Sequence, residues 1–289
     1  MAFLLSTGAA TMQPASRLMA SPAGGGQSKK ATLQPVSAVS PDIPFNYESQ
    51  SEQQLLDLAN QSRAEKGLSP LTLDAGLSKA AHDHAQAMLD GHQLSHQLRN
   101  EPALAQRVAA ATKLQLDQEG ENVALDYDAE RGHQHLMLSP PHRANLLNPA
   151  YDVVGLGVVR SGDQIYIVQD FGHSLPSYSP AELKDQIARA VEQERQKGSR
   201  AQLPRHDLPT ADEVACSMAQ ADKLGTDPVR ALSRQYTVLA YTSLNPRTLP
   251  NAATQALAAR RVNSFSVGAC YGRSTTYPTG MYWIVLSLN

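Results

Sequence analysis

The stretch Ser139-Pro140-Pro141-His142-Arg143-Ala144-Asn145-Leu146-Leu147 carries the strongest fold signal in this chain. Ser139 is a favourable helix cap, and the prolines after it are tolerated because the first helical turn leaves its N–H groups unpaired. Asn145 can hydrogen-bond neighbouring loop backbone, and the two leucines provide anchors in a core. We therefore predict structural roles for Ser139, Arg143 and Asn145, and we regard His142 as the residue in this stretch that is suited to chemistry.

Helices precede this stretch and strands follow it. Apolar residues recur at helical spacing at about 48–66, 75–90, 102–111 and 129–138, which predicts four helices. A short strand is predicted at 120–125. Two Val- and Ile-rich strands follow at 152–160 and 164–171, and Ser161-Gly162-Asp163 supplies the chemistry of a hairpin turn. The order of elements is helices, then strands interleaved with helices, then a terminal hairpin. This order favours an α+β fold, an α-β-α sandwich, over a doubly wound parallel sheet.

Three further motifs occur in order around the opening stretch. They are Ser95-His96, Gly120-Glu121-Asn122-Val123-Ala124 and Gln169-Asp170-Phe171-Gly172. Together with the opening stretch they resemble the bacterial branch of the CAP superfamily (cysteine-rich secretory proteins, antigen 5, pathogenesis-related 1). The resemblance covers about 120 residues, from 54 to 173. It implies a secreted sandwich domain that acts as a binding module rather than as an enzyme.

The resemblance also points to a cleft. Eukaryotic members build a cleft tetrad of two histidines and two glutamates, and His96 and Glu121 match two of its positions. His142 is a third candidate from the bacterial pattern, and the fourth position has no counterpart here. The chain departs from the family at Leu136 as well, where a tryptophan is usual.

Two interpretations of His96, Glu121 and His142 stay open. Two histidines and one carboxylate suit zinc and leave a coordination position for water, which such a metal could activate for hydrolysis. Alternatively, Glu121 hydrogen-bonds the imidazoles and backbone amides and ties three loops together around a ligand-binding cleft. Zinc or another divalent metal is therefore the only cofactor that the sequence suggests.

The chain is long enough for more than one domain. We predict a CAP-like domain at 47–174, a capped helix and connector at 175–209, and a smaller α+β domain at 210–289. Residues 1–46 are rich in Ala, Ser, Gly, Pro and Gln, which predicts a disordered segment and is compatible with the remnant of a signal region.

The last domain contains a hairpin that resembles the first one. Residues 152–161 are similar to residues 265–274, and Tyr166-Ile167-Val168 matches Trp283-Ile284-Val285. We infer that the C-terminal domain is a candidate diverged, partial repeat of the first sheet. Two unrelated hairpins with similar turns would be the alternative.

Cysteine content and charge limit the environment and the partners. Cys216 and Cys270 are the only cysteines, and they form either one disulfide, which needs an oxidising compartment, or two buried thiols. A net charge of -2 gives no electrostatic reason to expect nucleic acid as a partner. No apolar run approaches the roughly 20 residues that span a bilayer.

We therefore expect an extracytoplasmic, two-domain protein that binds a small ligand, a lipid or an envelope component in the cleft of His96, Glu121 and His142. Two other classes remain as alternatives. One is a zinc-dependent hydrolase at the cell envelope. The other is an interaction scaffold that works through its C-terminal domain.

Overall fold

The computed structural model describes residues 48–259 and 261–289, and the predicted disordered segment at 1–46 lies outside them. The helices are α1 (Ser49–Ala64), α2 (Ala75–Asp90), α3 (Leu104–Ala111), α4 (Ala129–Leu138), α5 (Pro140–Leu146), α6 (Pro180–Lys197), α7 (Pro209–Ala221), α8 (Asp227–Leu232) and α9 (Asn251–Leu257). The strands are β1 (Thr72–Leu73), β2 (Gln115–Asp126), β3 (Val153–Ser161), β4 (Gln164–Leu175), β5 (Thr237–Ser243), β6 (Phe265–Gly272) and β7 (Met281–Leu288).

The first sheet has the strand order β1-β3-β4-β2. β1 pairs with β3 in parallel, and the other neighbours are antiparallel. The β3–β4 hairpin closes where Ser161 faces Gln164, and Gly162 in its turn has a φ of 63°. That left-handed conformation suits glycine because it has no Cβ. The structure therefore contains the hairpin that the turn residues predict.

Helices cover both faces of this sheet. Val158, Ile165 and Ile167 point to one face, in a cluster with residues of α1, α4 and α5. Val159 and Val168 point to the other face, in a cluster with α2. Because side chains alternate along a strand, β3 and β4 supply both cores at once. Residues 48–175, which we call the N-terminal unit, therefore form the predicted α-β-α sandwich of the α+β class.

Helix α2 lies directly on the backbone of β3. A Cβ added to Gly155 would lie 2.0 Å from the carbonyl carbon of Leu77, and one added to Gly157 would lie 2.3 Å from that of Ala81. No side chain fits between the two elements. The contact fixes the position of α2 and with it the start of the loop that carries His96.

Residues 180–289, the C-terminal unit, form a second and smaller sandwich. Its sheet is antiparallel, with the strand order β5-β7-β6. Helix α7 forms a core cluster with one face of this sheet, and helices α6 and α9 form a second core cluster with the other face. A disulfide of 2.15 Å joins Cys216 in α7 to Cys270 in β6. Helix α6 is the capped helix expected within 175–209, and its Leu183 and Ile187 belong to the core of this unit.

The two units share an order of elements. The sheet β5-β7-β6 has the order and the antiparallel pairing of β2-β4-β3. A Cβ on Gly268 of β6 would lie 2.1 Å from the backbone of Ala211 in α7, so this helix also rests on a glycine of its strand. A parallel bridge between Arg205 and Phe265 takes the place of β1. The likeness therefore extends from the hairpins to the whole sandwich.

The strand register corrects one detail of the predicted repeat. Gly157 faces Val168 in the first hairpin, and Cys270 faces Trp283 in the second. Val168 thus corresponds to Trp283, whereas the sequence comparison had aligned it with Val285. The reason is that strand side chains alternate with a period of two, so a shift of two residues preserves the apolar pattern.

Each unit also ties its first helix to later loops through a buried arginine. The Nε of Arg63 in α1 donates to the carbonyl six residues further on at 2.8 Å, and that of Arg195 in α6 does the same at 3.1 Å. One terminal nitrogen of each donates to the carbonyl of Leu146 or Leu257, at the end of α5 or α9. The two arginines therefore have matching roles.

Candidate functional site

Three elements of the N-terminal unit carry the predicted site residues. His96 lies in the loop after α2, Glu121 in β2 and His142 in α5. The side chain of His96 is 17% exposed and that of Glu121 is 4% exposed, while His142 is buried. The three side chains are thus largely buried, and His96 is the most accessible of them.

The structure brings these three residues together. The Nδ1 of His96 lies 2.8 Å from Oε1 of Glu121. The rings of His96 and His142 have their centroids 6.4 Å apart and are stacked, with 29° between the planes. Two imidazoles and one carboxylate therefore lie close together, although His96 and His142 are 46 residues apart in the sequence.

An arginine that the sequence did not single out holds the cleft together. Nη2 of Arg107, in α3, forms a short ion pair with Oε2 of Glu121. Its Nη1 donates to the carbonyl of His96 at 3.2 Å and lies 3.3 Å from Oε2 of Glu101. One buried guanidinium thus contacts both glutamates and the loop of His96. Hydrogen bonds between charged groups are stronger than those between neutral ones, so this contact should dominate the geometry.

His84 and Glu101 extend the network behind the cleft. Nδ1 of His84 lies 2.7 Å from Oε1 of Glu101, and its Nε2 lies 2.9 Å from the carbonyl of Ser95. Both ring nitrogens of His84 thus face oxygen atoms. Glu101 is therefore the second glutamate of the network, for which the sequence motifs offered no match.

A second carboxyl group lies beside Glu121. Asp170 in β4 faces Glu121 across the β2–β4 ladder and is fully buried. Among the described residues, no N–H or hydroxyl group donates a hydrogen bond to either of its oxygens. Burial, and next the charge of Glu121, raise the pKa of Asp170 well above its usual range. The neutral form of Asp170 is thus favoured.

This arrangement predicts a pH dependence of stability. The pKa of Asp170 is higher in the folded than in the unfolded chain, so the folded state binds more protons, and stability falls as pH rises from about 4 towards the folded pKa. Asp170→Asn should remove this fall, because the amide is nearly isosteric and does not titrate. The free energy of unfolding, obtained from urea unfolding at several pH values, measures this fall. Asp163→Asn in the exposed β3–β4 turn is the control, and equal pH slopes for all three proteins would contradict the prediction.

Ser139 has a different role from the predicted cap. It occupies the N-cap position of α5, but its side chain makes no capping hydrogen bond. The two prolines that follow have no N–H to offer, and the hydroxyl lies 2.9 Å from Nδ1 of His142 instead. Burial, and then the charge of His96, lower the pKa of His142. Ser139 thus orients an imidazole whose neutral form is favoured.

Amide side chains fasten α5 to the strand that carries Glu121. Nδ2 of Asn145 donates to the carbonyl of Glu121 at 3.1 Å and to Oδ1 of Asn122 at 3.0 Å. Asn122 in turn donates to the carbonyl of His142 at 3.1 Å. Arg143 donates to the carbonyl of Met137 at 3.2 Å. Asn145 and Arg143 therefore make backbone contacts of the structural kind that the sequence suggests.

The described residues contain no group of three or more His, Cys, Asp or Glu side chains arranged to hold a metal ion. The zinc hypothesis for His96, Glu121 and His142 therefore stays a prediction. Glu121 already pairs with His96 through one oxygen and with Arg107 through the other. A bound cation would have to compete with the positive charge of Arg107 for the same carboxylate.

A family model matches the part of the chain that contains the three candidate residues. Residues 56–171 match the cysteine-rich secretory protein family, CAP. An uncharacterized membrane protein of Bacillus subtilis, YlbC, is 32% identical over 135 residues, which are 46% of this chain and 38% of that protein. The uncharacterized protein YkwD of the same organism is 32% identical over 114 residues, 38% of this chain and 43% of that protein. The match therefore spans less than half the length of either relative.

Among solved structures, an extracellular protein from Bacillus anthracis that contains an SCP domain is 27% identical, with a TM-score of 0.39. The match covers 49% of this chain and 45% of that one. No helix in the described part of this chain has the length and apolar character needed to cross a bilayer. The family match, the ordered motifs and the sandwich agree. Residues 56–171 therefore form a CAP domain of the cysteine-rich secretory protein family.

Proposed function

We propose that this protein acts outside the cytoplasm as a non-catalytic binding module, and that its CAP domain takes up a small polar ligand between His96 and His142. The observation that carries the proposal is the convergence of the two imidazoles on one cleft, with ring centroids 6.4 Å apart. A disulfide between Cys216 and Cys270, which persists in oxidising compartments, supports the location.

The bonding of the cleft supports binding rather than catalysis. Glu121, the carboxylate that pairs with His96, has one oxygen on His96 and the other on Arg107. A general base must offer an oxygen to a proton of its substrate, and both oxygens of Glu121 already have partners within the protein. The accessible chemistry is that of hydrogen bonding by imidazole groups to polar groups of a ligand.

Histidine-ring NMR combined with a library of small polar fragments tests the proposal. Fragments that bind the cleft should shift the ring resonances of His96 and His142. The double substitution His96→Ala, His142→Ala should weaken their binding by about tenfold or more, which is about 1.4 kcal/mol. The control is His92→Ala, because His92 is exposed and lies outside the network.

Three outcomes would count against the proposal. Fragments that bind the double variant as tightly as the wild type would place the binding site elsewhere. Metal analysis supplies the second outcome: stoichiometric zinc that is lost in the double variant, together with zinc-dependent hydrolysis of a peptide or envelope substrate, would establish a hydrolase. Partner binding that needs only residues after Ser174 would favour the scaffold alternative.

A further inference from the structure

The C-terminal unit repeats the sandwich but not the cleft. Glu121 and Asp170 face each other in the first sheet, where Asp170 also faces Gly155. In the second sheet, the residue that faces Gly268 is Val285, and Val285 faces Ala240. The pair of carboxyl groups is thus replaced by two apolar residues. The second unit cannot build the same site, so any effect it has on the cleft must pass through its contact with the first unit.

Among the described residues, the loop after β6 makes that contact, and Arg273 supplies most of its hydrogen bonds. Nη1 of Arg273 donates to the carbonyls of Ala109 and Thr112 at 2.5 and 2.8 Å, and Nη2 donates to that of Leu114 at 2.9 Å. Thr279 of the same loop adds a hydrogen bond to the carbonyl of Leu116 at 2.9 Å. These acceptors lie in the last turn of α3, at its end, in the segment that leads into β2 and, for Leu116, at the start of β2.

Helix α3 needs such support. It has 8 residues, and helices this short are marginal in isolation. The carbonyls of a last helical turn have no partner within the helix, and a positive charge is favourable there. Neither Ala103 at its start nor Thr112 at its end caps it with a side chain. The guanidinium of Arg273 contacts three carbonyls here, so it supplies both hydrogen-bond donors and a positive charge at the end of this helix.

The loop that presents Arg273 is itself well fixed. Asp222, at the end of α7, accepts hydrogen bonds from the hydroxyl of Ser274 at 2.7 Å and from the backbone N–H and the hydroxyl of Thr276 at 3.0 and 2.6 Å. The position of Arg273 therefore depends on the fold of the C-terminal unit and not on the CAP domain that it contacts.

Helix α3 also carries Arg107, which contacts Glu121, Glu101 and the backbone of His96. We propose that Arg273 is a positioning residue for the cleft. By holding the end of α3 it sets Arg107 against Glu121. In this way the second unit, which lacks the pair of carboxyl groups, stabilises the binding site of the first. This inference concerns the geometry of the unliganded cleft, and its test needs no ligand.

The experiment compares the ring ¹H and ¹³C resonances of His96 and His142 at constant pH in the full chain. Arg107→Ala defines the signature of a cleft without its guanidinium. Arg273→Ala should move both histidines in the same direction as Arg107→Ala, and Arg273→Lys should give an intermediate shift, since an ammonium lacks the planar fork. The control is Arg247→Ala, because Arg247 donates to Gln186 within the C-terminal unit, at 2.6 Å.

A double variant decides between a route through Arg107 and a general loosening. In the Arg107→Ala background, Arg273→Ala should add no further shift of the two rings. Wild-type histidine resonances in Arg273→Ala, even with lowered thermal stability, would overturn the proposal and leave Arg273 with a purely structural role. Shifts that persist in full in the Arg107→Ala background would overturn it as well. If Arg273→Ala does not fold, the same comparison with Arg273→Lys has the same two outcomes. Neither result depends on whether fragments bind the cleft.

Discussion

Gly155→Val should prevent the N-terminal unit from reaching its native packing. Any Cβ at this position would lie 2.0 Å from the carbonyl carbon of Leu77 and 2.3 Å from the nitrogen of Ser78, and both are backbone atoms of α2. Overpacking normally costs about 1–3 kcal/mol because side chains adjust. Here a whole helix would have to move away from β3, so we expect a loss of about 4 kcal/mol or more in the free energy of unfolding.

The chain offers matched comparisons for this substitution. Gly268→Val makes the corresponding change in the C-terminal unit, where a Cβ would lie 2.1 Å from the backbone of Ala211. Gly225→Val is the control, since nothing lies within 4 Å of a Cβ there. Urea unfolding followed by circular dichroism measures all three. A Gly155→Val protein as stable as the control would show that α2 does not rest on the strand backbone.

Arg63→Met should be the second most damaging change. The guanidinium of Arg63 is fully buried and donates to four carbonyls, among them those of Asn148 and Tyr151 at 2.9 Å each. Methionine fills similar volume but leaves these acceptors unsatisfied. Loss of one partner of a buried polar network costs about 3–5 kcal/mol. Because two of the acceptors follow α5, the helix of His142 should lose its anchor.

Arg195→Met provides the internal comparison, since Arg195 occupies the matching place and makes two backbone hydrogen bonds. We expect a smaller loss there, of about 2 kcal/mol. Hydrogen exchange resolved by residue should locate the first loss near α1 and α5 and the second near α6 and α9. Equal losses for both variants, or a loss spread evenly over the chain, would contradict this assignment.

The sequence predicts regular elements well where local signals suffice. Helix α4 was expected at 129–138 and has these bounds, because an aspartate cap and apolar spacing define it locally. Strand β2 was expected at 120–125 but begins at Gln115. Its first residues are polar, with little strand propensity, and they become extended because β4 pairs with them. Pairing of this kind depends on tertiary context that a local pattern does not contain.

The candidate site shows the same division. His96, Glu121 and His142 stand in recognisable motifs, and the structure brings them together. Arg107 stands in no motif, and its partners can be recognised only once α3 is placed against β2. Asp170 belongs to the Gln169-Asp170-Phe171-Gly172 motif. Its importance comes from the register that sets it opposite Glu121, and register is fixed by the whole sheet.

The bracing contact has a consequence for the order of synthesis. Arg273 follows the carbonyls that it holds by 159 to 164 residues. At roughly 5–20 residues per second, a ribosome reaches it on the order of ten seconds or more after α3. Whenever the chain folds in the order in which it emerges, the sheet of the CAP domain is complete long before the end of α3 is held. The geometry of the cleft would then be set only after Arg273 has been added, and a translation pause before Arg273 would delay that step.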